Sequence, residues 1–553
     1  MDISLATLLV YVFFLVFPLV YFFIMQTNPS VLYTAQLIYP IFFFVAVIFS
    51  LYIEKKFRHT MHVQSKQLLL KTATFCIVLY TIYLLFITWY MYANFFSQGT
   101  DLEYFHQTIW QLSEFKIPYI WGLNTPFYPV WSQHFSPFLA ILVPFFWISH
   151  SAGLLLMEQA LAVITGAIPI YFIAKRFLHS RGMGLALAFA YLSFGGLQFG
   201  MEYGFHEIMF FPALFLWAYY FYLSKKIKLY FLFILLSLFV KEEVAFIVFF
   251  WGMYLLIFRK DRIWGSITAA LGVLWYVVCF NIIFPYFNQG KGFGYWGQYA
   301  QSGSSGISGI LQAILLKPLS FFQTLVTPGI KIEMMLDTFG QFSFLLLLFP
   351  PAFLIIFPSL MEKLLSSNVA MGNGAHYSAA ICAVTVVATI EALPHIYKYK
   401  FINKYIHNKN IFFTTLIFYS AFSSSTFFCF PAYSLIPFHP NYMLDFTITA
   451  DNESLLTQIM KTIPQDATVS ANAPLPPHFN KYYKAITVWP GMTVKEDFVI
   501  IDTQFHPVYG FTGKEYNDAL NRLNTNKNYQ IAFANDGILV YRRKSYNLNT
   551  VQQ

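Results

Sequence analysis

The chain of 553 residues is 58% hydrophobic and only 11% charged, with a mean hydropathy of +0.56. Soluble globular proteins carry roughly 25% charged residues, so this composition excludes an ordinary water-soluble fold and indicates an integral membrane protein. The net charge of +9 does not imply nucleic acid, because Lys and Arg fall in short clusters between apolar runs, as expected of cytoplasmic loops.

The first apolar run, Leu5 to Met25, lacks a basic leader and a small-residue cleavage site and reads as a retained membrane helix. A second run, Val31 to Ile53, precedes the basic residues Lys55, Lys56, Arg58, Lys66 and Lys71, which belong in the cytoplasm. The span Thr72 to Tyr92 therefore exits, and residues 93–134 lie outside. Phe135 to Ile148 is shorter than the roughly 20 residues a spanning helix needs, and reads as interfacial or re-entrant. Gly153 to Ile173 is long enough and returns to Lys175, Arg176 and Arg181.

With that parity, the clusters Lys225/Lys226/Lys228, Arg259/Lys260/Arg262 and Lys398/Lys400/Lys404/Lys409 fall inside. The loops at Glu202 to Glu207, Lys241 to Glu243 and Asn288 to about Ile330 fall outside. Pro350-Pro351 interrupts the run from Lys331 to Ser366, which reads as two helices with a turn between them. The expectation is a polytopic α-helical membrane protein of about thirteen spans, with its N-terminus inside and its C-terminus outside.

From Phe438 the chain turns polar. Glu453 to Ile463 carries apolar residues at helical spacing behind Asp451-Asn452. "ATVSAN", "AITVWP" and "DFVIID" read as short strands, and "YQIAFANDGILVYRR" as a hairpin turning at Asn535-Asp536-Gly537. The domains expected are thus 1–71, a transmembrane hairpin with a basic loop; 72–437, the membrane core; and 438–553, a small extracytoplasmic α/β domain with its tail. Cys76, Cys279, Cys382 and Cys429 sit in or beside apolar stretches without metal-site spacing. The aromatic runs read as core or lipid-facing packing rather than a cofactor box.

Polar residues gather in four outward-facing segments: "TDLEYFHQ" (Thr100 to Gln107), "SQHFSP" (Ser132 to Pro137), "GFHE" (Gly204 to Glu207) and "KEE" (Lys241 to Glu243). Taken singly each has an ordinary explanation. Asp101 suits a helix cap, His134 and His206 suit hydrogen-bonded surface positions, and Glu207, Glu242 and Glu243 suit pairing with Lys241 or facing headgroups. Asp101 also suits a general base or a metal ligand in a cleft. Recurrence of acids and histidines at one membrane face is what an active site in the outer leaflet requires. The acids allow a divalent metal, although no spacing demands one. No phosphate-cradling loop, nucleophile elbow, HExxH or GxGxxG sequence is present.

The four segments resemble a prokaryotic family of predicted membrane proteins, domain of unknown function 2079. Its motifs match Asp101, Phe105 and Gln107; Gln133, His134, Phe135, Ser136 and Pro137; Phe205, His206 and Glu207; and Lys241, Glu242 and Glu243. "LLSS" (Leu364 to Ser367) before "HYS" (His376 to Ser378) is also similar, while His106 stands where many members carry an acid or amide. That family in turn resembles the GT-C superfamily of membrane glycosyltransferases. The resemblance implies a GT-C-like core and transfer of sugar from a polyprenyl-phosphate donor to an extracytoplasmic acceptor, within a prokaryotic cytoplasmic membrane. It implies catalytic roles for Asp101 (the base), His134, His206 and Glu207. Substrate contacts then fall to Gln107, Gln133, Lys241, Glu242 and Glu243, with Lys241 or a histidine stabilising the departing phosphate. Membrane lipids are the other expected partner. A transporter or flippase of lipid-linked or small substrates, and a membrane scaffold, are the competing classes.

Overall fold

The computed structural model describes residues 35–57, 63–95, 99–120, 128–302, 306–327, 330–368, 375–428, 450–464, 466–472, 475–479, 486–490, 496–503 and 512–546. The chain divides into two compact units. One comprises Met1–Leu85, Gln159–Met201 and Glu207–Met443; the other comprises Phe86–Glu158, Glu202–His206 and Leu444–Gln553.

The first unit is helical. Among the described residues of the whole chain, four helices are long and apolar enough to cross a membrane: Lys66–Ala93, Ala152–Phe177, Arg262–Phe287 and His376–Ile396. Two bent pairs, Arg181–Leu192 with Gly195–Glu202 (47°) and Gly309–Leu316 with Pro318–Val326 (117°), bring the number to six if each is one span. Glu207–Leu223, Ile227–Val240 and Val244–Ile257 are apolar but shorter. About thirteen spans are expected from hydropathy; among the described residues the number is smaller, partly because several apolar helices are short and partly because one apolar run folds as several pieces. The stretch at Pro350-Pro351 is one such case: a helix at Ile330–Gly340, 3₁₀ turns at Leu345–Leu348 and Pro350–Ala352, then a helix at Phe353–Leu365. The prolines open that last helix, where a missing N–H costs nothing. The run Leu5 to Met25 lies outside the described residues.

Small residues set the packing of this unit. Ala379–Ile396 is buried along nearly all its length, and its alanines at 379, 380, 383, 388 and 392 let neighbours approach from every side. At Gly252 an added Cβ would lie 2.3 Å from the backbone nitrogen of Ala269, so the helices Val244–Ile257 and Arg262–Tyr276 touch backbone to backbone there.

The second unit holds a small antiparallel pair, β1 (Tyr119–Ile120) and β2 (Tyr128–Pro129), and a five-stranded sheet. That sheet is built from β3 (Val469–Asn472), β4 (Ile486–Trp489), β5 (Phe498–Asp502), β6 (Tyr529–Asn535) and β7 (Ile538–Arg543), in the order β4-β3-β5-β7-β6. The first three strands run parallel, and β7 and β6 close the edge antiparallel. The β6–β7 turn places Asp536 at φ 47° and Gly537 at φ 79°, the two positive φ angles that a two-residue hairpin needs. Successive residues of β5 face opposite ways. Phe498 and Ile500 pack with Leu456 and Ile459 of the helix Ala450–Thr462, while Val499 and Ile501 pack with Tyr516, Ala519 and Leu523 of Gly513–Asn524.

Phe95, just beyond the end of the helix Val63–Ala93, belongs to the first of those two cores. His478 stacks on Tyr92 (ring centroids 4.4 Å, planes 12° apart) and on Phe95 (4.0 Å). Its neutral ring suits that contact, and burial pushes its pKa from 6.5 down to about 3. The folded state therefore binds fewer protons than the unfolded chain between those values. The contact's contribution is complete above pH 6.5 and is lost as pH falls toward 3. His478→Phe keeps the stack without the titration. We expect the acid-side fall in melting temperature of the purified protein to be shallower in that variant, by up to about 1.4 kcal/mol per pH unit. Superimposable acid limbs would contradict the assignment.

Candidate functional site

The helix Gly99–Ser113 follows the span that ends at Ala93 and presents two polar faces. Asp101 and Phe105 stand four residues apart and share one face; Glu103, His106 and Gln107 share another. On the first face Asp101 Oδ2 lies 3.5 Å from His206 Nε2. His206 reaches it from the loop after the helix Gly195–Glu202, where Gly204 at φ 126° takes a conformation closed to other residues. Phe105 (5.5 Å) and Tyr203 (5.7 Å) flank the imidazole and aim it. This explains in physical terms why an aromatic residue sits four positions after the acid. Asp101 keeps 37% of its side-chain surface exposed while His206 keeps 6%, so the pair is open on the carboxylate side.

Tyr128 joins this group. Burial raises its phenol pKa, a hydrogen bond with Gln133 opposes the rise, and the charge of Asp101 adds to it. Two separate stretches thus meet around Asp101: the 202–206 loop, and β2, which runs directly into the turn at Val130–Gln133. In that turn the backbone N–H groups of Gln133 and His134 both donate to the Val130 carbonyl, and the His134 side chain is half-buried. Gln107 is buried and donates to Glu103 Oε1 at 2.9 Å, which turns it into the helix interior. Tyr128 has no signal in the sequence, because a lone Tyr among 38 is indistinguishable from packing.

The remaining predicted residues assemble within the other unit. Lys241, Glu242 and Glu243 form the turn between Ile227–Val240 and Val244–Ile257, at the end of this hairpin away from Lys226 and Arg259. Lys241 Nζ lies 3.6 Å from Glu207 Oε1 and 3.6 Å from Glu243 Oε2. The second oxygen of Glu207 is buried with no hydrogen-bond partner among the described residues. Glu362 sits beside Glu243. Lys363 is buried and donates to Ser378 Oγ at 2.9 Å. Glu362 and Lys363 escaped the sequence reading, which stopped at the adjoining "LLSS". The available signal was a charged pair inside the apolar stretch Phe353–Leu365. Among the described residues no three His, Cys, Asp or Glu side chains group to hold a metal ion.

Comparison with known proteins adds three findings. The family described as "Predicted membrane protein (DUF2079)" matches residues 91–540. No curated protein matches. The crystal structure of ArnT from Cupriavidus metallidurans bound to undecaprenyl phosphate aligns with 85% of this chain and 97% of its own, at 8% identity and a TM-score of 0.45. A likeness at that level carries no argument about this chain.

Proposed function

We propose, for a chain that belongs to the DUF2079 family of predicted membrane proteins, that it is a membrane glycosyltransferase with its site at Asp101 and His206. On this reading a sugar passes from a polyprenyl-phosphate donor to an acceptor hydroxyl on the extracytoplasmic face. The observation that carries the proposal is the 3.5 Å approach of Asp101 to His206, which joins two of the family's motifs across a hundred residues of chain.

The chemistry follows from the groups present. Asp101 takes the proton of the acceptor hydroxyl as its oxygen attacks the anomeric carbon. The bond from that carbon to the phosphate oxygen breaks, and polyprenyl phosphate leaves with the electron pair. Negative charge growing on phosphate in a low dielectric needs a donor fixed beforehand. We assign that task to His206 rather than Lys241, because Glu207 and Glu243 already neutralise the lysine. Gln133, His134 and Tyr128 are assigned to holding the sugar or acceptor. The basic clusters support an inside N-terminus and an outside C-terminus, with residues 438–553 as an extracytoplasmic domain and the core at 72–437.

The test uses the full chain in lipid vesicles with radiolabelled polyprenyl-phosphate hexoses and pentoses. Acceptor-dependent transfer of label, with release of polyprenyl phosphate, is the expected result. Label that crosses the bilayer still attached to its lipid would replace this reading by the flippase one.

A further inference from the structure

The face of Gly99–Ser113 turned away from Asp101 holds two buried polar groups that the proposed chemistry does not use. Glu103 is 3% exposed and His106 2%. His106 Nε2 lies 2.7 Å from the His150 carbonyl, which only accepts, so Nε2 is the protonated nitrogen. In the neutral ring Nδ1 is then an acceptor. Glu103 Oε1 accepts from Gln107 Nε2 at 2.9 Å. Its other oxygen, Oε2, lies 4.0 Å from His106 Nδ1, and neither atom has a hydrogen-bond partner among the described residues. Two acceptors facing each other in a dry interior are costly. One proton between them removes the conflict.

We propose that Glu103 and His106 hold a single buried proton, carried on Glu103, while His106 ties this helix to the His150 carbonyl. The proton resides on Glu103 Oε2 and points at His106 Nδ1, so the pair is uncharged. Burial supports that assignment, raising Glu103 from 4.5 to about 8 and lowering His106 from 6.5 to about 4. The elements packed on this helix bring few other titratable groups. Val143–Ile148 and Pro137–Ile141 contain none, β1 brings Tyr119, the turn Pro476–His478 brings His478, and His150 faces the imidazole.

The sign of the pH dependence follows. The folded pair keeps one proton from about pH 4 to about pH 8, whereas the unfolded chain loses its carboxyl proton near 4.5 and its imidazole proton near 6.5. Between 6.5 and 8 the folded state therefore holds one proton more. Stability falls as pH rises through that window and levels off above it.

Glu103→Gln tests this without reference to any transfer activity. A glutamine amide donates to Nδ1 and its carbonyl still accepts from Gln107, so the pattern survives and the titration disappears. For the full chain in detergent, we expect the wild-type melting temperature to fall relative to Glu103→Gln between pH 6.5 and 8. Parallel curves would overturn the proposal. Infrared difference spectra provide a second readout. At neutral pH the wild type should show one un-ionised carboxyl C=O component more than Glu103→Gln does. His106→Phe, which removes the acceptor, should keep the band but shift it. Wild-type and Glu103→Gln spectra with the same carboxyl band, or an unshifted band in His106→Phe, would overturn the assignment.

Discussion

Asp101→Asn is expected to lower acceptor-dependent transfer by about 10²–10⁴-fold, the usual contribution of a general base. Asparagine matches aspartate in shape, so the 3.5 Å approach to His206 survives the change. The loss is then of basicity alone. The helix Gly99–Ser113 has Asp101 as the acid of its first turn, and removing that charge costs about 0.3–1 kcal/mol of dipole interaction. Expression, membrane insertion and melting temperature should therefore stay near wild type. His206→Leu should cost less, because it removes a donor to the leaving group and leaves the base in place. Measured as kcat and KM, both variants should fall chiefly in kcat, since the charges they serve develop in the transition state. Full activity in Asp101→Asn would remove the carboxylate from the reaction.

The largest stability effect is expected in the other unit, at Glu391. This carboxylate sits in the buried helix Ala379–Ile396 at 3% exposure. It accepts from Tyr219 Oη (2.6 Å), Tyr254 Oη (2.8 Å), Arg259 Nε (2.9 Å) and a terminal guanidinium nitrogen of the same arginine. One side chain thus ties Phe211–Leu223, Val244–Ile257 and the arginine beyond it to the central helix. Glu391→Ala strands two phenols and a cation at once. Removing one partner of a buried ion pair costs about 3–5 kcal/mol. Arg259 keeps 40% of its surface exposed, so water recovers part of that and the lower half of the range is expected. Glu391→Gln should fall between, because it retains an acceptor for one tyrosine. Thermal unfolding in detergent measures all three proteins, and an unchanged melting temperature in Glu391→Ala would show that the network contributes no stability.

Some of this architecture is legible in the amino-acid string. Hydropathy placed spans at Thr72 to Tyr92 and Gly153 to Ile173, within the helices Lys66–Ala93 and Ala152–Phe177, and the length of Phe135 to Ile148 marked it as too short; it folds as a 3₁₀ turn and a six-residue helix. Asn535-Asp536-Gly537 announced its hairpin because few residues tolerate positive φ. Glu391 was invisible for the opposite reason. A lone acid in an apolar helix declares that it must have a partner, but Arg259 reads as one member of a cytoplasmic cluster 132 residues away. Tyr128 is silent because its role depends on Asp101 arriving from another part of the chain. The short strands alternated weakly because β5 is buried on both faces, and a doubly covered strand has no polar side to mark its period.

The stacking of His478 on Tyr92 and Phe95 also constrains how the polypeptide is made. Ribosomes deliver Phe95 several hundred residues before the sheet that covers it. Throughout the synthesis of the intervening membrane helices, the aromatic end of Val63–Ala93 waits without its lid. The second unit, assembled from segments 86–158, 202–206 and 444–553, thus has a folding step of very high contact order that cannot begin until residues 444–553 have been made. A nascent chain stalled before residue 450 should hold that aromatic surface open to chaperones, and synthesis of the strands through β7 should close it.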